Sequence, residues 1–187
     1  MDNFNTSSFD IYKDISARTK GEIYLGVIGA VRTGKSTFIK RFMEQMVLPY
    51  MNDEHDRERT IDEMPQSAAG KTIMTTEPKF IPKEAAVIHF SNQETGKIRL
   101  IDCVGYLVPE AVGAIEEEKE RMVKTPWSQT EIPFTKAAEI GTKKVIAEHS
   151  TIGIVVTTDG SFSEIPRQNY VPAEERTIQE LSAIKKP

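Results

Sequence analysis

Apolar and polar positions change their period several times along the chain, and each change marks an element. Ile23-Tyr-Leu-Gly-Val-Ile28 is a short apolar run bounded by polar residues and reads as a buried strand. From Ser36 to Val47 the apolar positions return at helical spacing through Phe38, Ile39, Phe42 and Met43. Ala85–Phe90 and Lys97–Asp102 are two further strand candidates, joined by the turn-rich Asn92-Gln-Glu-Thr-Gly96, which suits an antiparallel hairpin at a sheet edge. Phe134, Ala137, Ala138, Gly141, Val145 and Ile146 then predict a helix over Phe134–Glu148. Ser150–Thr157 reads as a fully buried strand, and after a turn at Asp159-Gly160 the stretch Ala173–Ile184 predicts an amphipathic helix. Strands alternating with helices in this order predict an α/β fold with a mostly parallel sheet and an antiparallel edge hairpin.

The intervening segments are less regular. Residues 1–20 are polar apart from Phe9, Ile11, Tyr12 and Ile15, which leaves a tail and a short amphipathic helix as equal alternatives. Pro49–Gly70 lacks hydrophobic periodicity and is expected to be a long mobile loop. The charge run Glu116–Met122 reads as a solvated helix, broken by Thr125-Pro-Trp-Ser128. An alternating parallel sheet would normally pass from its last helix into another strand, so residues 21–187 are expected to form one domain that is incomplete at its C-terminal end.

Composition narrows the partners. The 187 residues, 39% hydrophobic, are enough for one sizeable core. A net charge of -4 with 24 scattered basic residues argues against nucleic acid. No apolar run has the length of a membrane span, and the N-terminus lacks the pattern of a signal peptide, so a cytosolic location is expected. The single cysteine, Cys103, sits in an apolar run and is expected to pack as a small hydrophobe.

The candidate chemistry lies between the first strand and the first helix. Gly29-Ala-Val-Arg-Thr-Gly-Lys-Ser-Thr37 fits the phosphate-loop template, in which two glycines let the backbone curl so that successive N–H groups face phosphate oxygens. Residues Gly29, Ala30, Val31, Arg32, Thr33, Gly34, Lys35, Ser36 and Thr37 are accordingly the expected nucleotide contacts, with Lys35 on the β and γ phosphates and Ser36 on magnesium. Asp102-Cys-Val-Gly105, at the end of a strand, supplies the second half of such a site. Asp102 would hold magnesium through water, and the Gly105 N–H would approach the γ phosphate. By itself an Asp-x-x-Gly is also an ordinary turn; the upstream loop gives it its weight.

Four blocks, Gly29–Thr37, Pro65-Gln-Ser-Ala-Ala-Gly-Lys-Thr-Ile-Met-Thr-Thr-Glu-Pro-Lys-Phe80, Asp102–Gly105 and Ile152-Gly-Ile-Val-Val-Thr-Thr-Asp-Gly-Ser161, resemble in order the nucleotide-binding region of the stage IV sporulation protein A family. The resemblance implies a three-layer phosphate-loop domain of the translation-factor-like GTPase type that binds ATP with magnesium. It further implies slow ATP hydrolysis that drives self-assembly into the basement layer of the spore coat, on the forespore surface in the mother-cell cytoplasm. The partners it implies are further copies of the protein, a small membrane-associated anchor protein and other coat proteins. Carried onto matching positions, it makes Lys35 and Asp102 catalytic and gives Thr75 and Thr76 the place of paired sensor threonines, Thr76 also near magnesium. Three readings stand beside it: a GTPase switch, a phosphate-loop kinase and a nucleotide-binding scaffold without turnover. No Asn/Thr-Lys-x-Asp guanine reader occurs in these residues, no arginine is tied to a kinase-type lid, and Tyr106 follows Gly105 where small GTPases carry a water-positioning glutamine.

Overall fold

The computed structural model describes residues 21–65, 77–89, 95–109, 115–116, 119–161 and 165–184. Four strands form the main sheet: β1 (Glu22–Ile28), β2 (Lys79–His89), β3 (Thr95–Asp102) and, after the two-residue strands β4 (Ile115–Glu116), β5 (Lys119–Glu120), β6 (Met122–Val123) and β7 (Ile132–Pro133), β8 (Ile152–Val155). The order is β2-β3-β1-β8, so β1, the first of the described strands, lies inside the sheet. β3 and β8 both run parallel to β1, and β2 runs antiparallel to β3. The mixed sheet with an antiparallel hairpin at one edge is the one expected from the pattern.

Period-two alternation puts helices on both faces. Leu25 and Val27 of β1, with Ile98 and Leu100 of β3, pack against Ile39, Met43 and Val47 in the helix that follows β1. That helix, α1 (Lys35–Phe42), continues through a wider turn over Met43–Val47. On the other face Ile28, Ile101 and Cys103 meet Val145 and Ile146, at the end of α3 (Phe134–Lys144), and Leu181 of α4 (Arg167–Ala183). Cys103 is the buried small hydrophobe expected. Burial pushes its thiol up to about 11, so it is almost wholly protonated at neutral pH.

Five expectations are corrected. Much of Pro49–Gly70 is not a loop: Glu54–Glu63 form a helix, α2. Asp53 caps it by accepting from the Asp56 N–H at 2.9 Å, and Arg59 bridges Asp56 and Glu84 on β2. This helix is docked by charges rather than by an apolar stripe, so hydrophobic periodicity could not reveal it. The described part of Glu116–Met122 is strand, not helix, with β4 on β5 and β6 on β7. β8 is half-buried rather than fully buried, because among the described residues it has β1 on one side and no strand on the other. α4 begins at Arg167 and contains Pro172, which has no N–H for a bond to the Gln168 carbonyl, so the helix carries one ladder bond fewer in its second turn. β2 likewise begins at Lys79, with Pro82 in the irregular stretch between Ile81 and Ala86 where its register shifts. Residues 1–20 lie outside the described residues.

Gly26 is a point of close approach between the sheet and the segment packed on it. A Cβ there would stand 2.7 Å from the Ser150 Cβ and 3.1 Å from a Val145 methyl. Ser150 cannot easily yield, since its N–H and hydroxyl both bond the Val145 carbonyl, at 3.0 and 2.8 Å. Gly26→Ala should therefore lower stability by about 1–3 kcal/mol, read as a fall in urea midpoint at unchanged slope.

Candidate functional site

The site lies at the carboxyl end of β1, between the ends of β3 and β8. The chain leaves β1 at Gly29 with φ 150°, and the Val156 carbonyl lies so close that a Cβ on Gly29 would be 2.3 Å from its oxygen. It turns left-handed at Arg32, φ 59°, and again at Gly34, φ 90°, before α1 begins. Glycine takes such angles freely, whereas at Arg32 a left-handed backbone costs on the order of 1 kcal/mol or more. Gly34 gives the helix no side-chain cap, and no acidic residue lies in its first turn. The first N–H groups of α1 and their partial positive charge are thus left for something outside the helix.

Two side chains converge on the Ala30 carbonyl: Lys35 Nζ donates to it at 2.6 Å and the Thr33 hydroxyl at 3.0 Å. Lys35 is buried, and desolvation, the dominant influence, lowers its pKa despite the nearby Cys103 and Asp102. Ser36, one residue on, donates its hydroxyl to Asp102 Oδ2 at 2.8 Å. Asp102 ends β3 opposite Val27, which brings the carboxylate to the loop. Burial raises its pKa most, while the Ser36 hydroxyl, Lys35, the Cys103 backbone and Lys79 pull it back. A cation and an anion therefore share a partly dried edge, each compensated only in part by the other.

Gly105 closes the arrangement. With φ 90° it passes so near the first loop that a Cβ would sit 2.1 Å from the Gly29 oxygen and 2.8 Å from Lys35 Nζ. Directly after it, the Tyr106 carbonyl accepts from the Val31 N–H at 2.9 Å, tying the two loops together. The structure thus brings together Gly29 to Ser36, Asp102 and Gly105. Thr37 is exposed on α1, and Thr75 and Thr76 lie outside the described residues.

Sequence reasoning left the role of Tyr106 open beyond its not being glutamine. Its side chain is buried, its hydroxyl donates to Glu180 on α4, and Arg176 stands 4.5 Å from its ring centre. Arg176 in turn pairs with Glu139 on α3 and with Glu180. The only available signal was its place after Gly105; the charges of α4 read as a wet helix face.

Among the described residues no group of three or more His, Cys, Asp or Glu side chains could cage a metal ion. Ser36 and Asp102 offer a hydroxyl and one carboxylate, the sparse oxygen set on which magnesium is held when phosphates and water complete its shell. Phosphate oxygens would meet N–H groups at the start of α1 and a buried ammonium, so the residues present fit a magnesium-bound polyphosphate. Among the described residues no helix is long and apolar enough to cross a membrane.

Comparison with known proteins agrees with this geometry. Residues 6–187 match the family described as stage IV sporulation protein A, ATPase domain. Over 178 residues, 95% of this chain, it is 62% identical to stage IV sporulation protein A of Bacillus subtilis (strain 168) and 60% identical to that of Bacillus anthracis. The corresponding protein of Clostridioides difficile (strain 630) is 58% identical over the same length. The chain spans 36% of the length of each of these relatives. A family match over nearly every residue, with three relatives at this level of identity, makes the chain a member of the stage IV sporulation protein A family, within its ATPase domain.

Proposed function

We propose that residues 21–187 are the magnesium-dependent nucleotide domain of a sporulation ATPase, of the three-layer translation-factor-like type, and that they hydrolyse ATP slowly. The observation that carries this is the convergence of Lys35, the Ser36–Asp102 pair and the Cβ-less Gly105 on one loop. In this reading Lys35 leaves the Ala30 carbonyl for the β and γ phosphates, and the exposed N–H groups of the loop and of α1 bind the remaining phosphate oxygens. Ser36 and Asp102 would hold magnesium, with Thr76 joining them; the ion would supply neutralisation of the charge shared by the β and γ phosphates. Gly105 would turn its N–H toward the γ phosphate. In the whole protein, hydrolysis would drive self-assembly of the spore coat basement layer on the forespore surface, facing the mother-cell cytoplasm. The partners there would be further copies, a small membrane-associated anchor protein and other coat proteins.

Lys35→Ala should reduce affinity for ATP at least tenfold and abolish turnover, because phosphate charge would then sit unmatched in a desolvated cradle. Titration with a fluorescent ATP analogue and phosphate release measure the two; parent-like values in both would remove the nucleotide site.

Base preference separates ATPase from GTPase switch. Family membership supports ATP, so turnover with ATP should exceed turnover with GTP when both are measured on a full-length relative. Equal or faster GTP turnover would favour the switch.

Thr75 and Thr76 would sense the γ phosphate and contribute little to binding. Two hydroxyl contacts worth about 1 kcal/mol each can bias a loop roughly tenfold or more between nucleotide states. The Thr75→Ala, Thr76→Ala double variant should keep most of its ATP affinity, while turnover and nucleotide-dependent protection of residues 50–80 from protease fall. Parent-like turnover and protection would make them ordinary polar residues.

A further inference from the structure

We propose that the guanidinium of Arg32 is a catalytic group, an arginine that the loop itself supplies to the charge developing on the phosphates during hydrolysis. The proposal rests on the nucleotide reading above and adds to it the group that stabilises the transition state.

The residue type at this position is not explained by the turn. Arg32 adopts φ 59° between the positive-φ residues Gly29 and Gly34. Glycine would make the same turn without strain, and the backbone N–H would serve a phosphate equally well. The chain holds a long cation in a conformation its side chain disfavours.

Nor does the fold explain it. Arg32 is half-buried and has no carboxylate or ring partner among the described residues. Every other described arginine has one: Arg99 pairs with Glu22, Arg121 stands over Phe134, Arg167 pairs with Glu174 and Arg176 with Glu139, and Arg41, Arg57 and Arg59 each meet an acid within one turn of their helices. Among the described residues, the arginine without a carboxylate or ring partner lies in the loop whose N–H groups are left open to an anion.

The chemistry also calls for it. In hydrolysis the water oxygen bonds to the γ phosphorus as the bond to the β–γ bridging oxygen breaks. The bonding pair stays on that oxygen, which leaves as part of ADP; one water proton remains on inorganic phosphate and the other is released to solvent. Negative charge therefore grows toward the β phosphate as the bond breaks, and a planar, permanently charged fork lying over the phosphates meets it better than a single ammonium. The residue after Gly105 cannot take over, since the Tyr106 hydroxyl is engaged by Glu180 and carries no positive charge.

Arg32→Gly is the informative variant, because it relaxes the left-handed turn while deleting the guanidinium; Arg32→Lys keeps a charge without the fork. ADP affinity should stay within about threefold of the parent in both, while ATP turnover falls about 100-fold or more in Arg32→Gly and partly in Arg32→Lys. ADP with aluminium fluoride, which mimics the transferring phosphoryl group, should bind the parent tightly and Arg32→Gly no better than ADP alone. If Arg32→Gly keeps both turnover and the aluminium fluoride complex, while Lys35→Ala loses nucleotide, the proposal falls and the nucleotide reading stands. If the parent binds neither ATP nor ADP, both fall together.

Discussion

The arrangement at the end of β1 depends on how closely two loops pass. A Cβ on Gly105 would lie 2.1 Å from the Gly29 oxygen, and a Cβ on Gly29 would lie 2.3 Å from the Val156 oxygen. Three segments from three strands therefore cross at a spacing only glycine permits. That crossing is what brings Asp102 within a hydrogen bond of Ser36 and the Tyr106 carbonyl onto the Val31 N–H. Strand order makes it possible: with β1 between β3 and β8, both neighbours deliver their carboxyl ends to the same loop. This is the crevice where α/β sheets of this kind bind ligands.

Electrostatics gives the crossing its chemistry. Lys35 donates to a neutral carbonyl in a buried site, and Asp102, one of the groups that offset its desolvation, is itself disfavoured as an anion by burial. Such a pair is poorly satisfied, and a polyphosphate carrying its own magnesium would satisfy both members at once. The same loop leaves the first N–H groups of α1 without a capping side chain and Arg32 without a partner among the described residues. Tyr106 links this edge through Glu180 and Arg176 on α4 to Glu139 on α3, so the position of the Asp-x-x-Gly loop is bound to that of α3 and α4.

The sequence pattern was readable where apolar burial decides structure. β1, α1, β3, α3 and α4 follow from runs and helical spacing, and the loop follows from two glycines at fixed separation before Lys35. α2 escaped because Asp53, Arg57 and Arg59 hold it with charges that resemble a solvated loop. The short strands around Arg121 escaped for the opposite reason: a dense charge run suggests a helix, but the Phe134 N–H bonds the Arg121 carbonyl and the Arg121 side chain covers the Phe134 ring. Both contacts form between residues thirteen apart in the chain, beyond the reach of local periodicity. Thr75 and Thr76 could be named only by resemblance, since two adjacent hydroxyls carry no periodic signal.

The central claim is that the two loops at the ends of β1 and β3 together receive a magnesium-bound polyphosphate. Amide hydrogen exchange on the chain, with and without a slowly hydrolysed ATP analogue and magnesium, tests it most directly. Slowed exchange concentrated at residues 30–37 and 102–106, requiring magnesium for its full extent, is the result this account predicts. Unchanged exchange at both segments under a nucleotide concentration that protects amides elsewhere would contradict it.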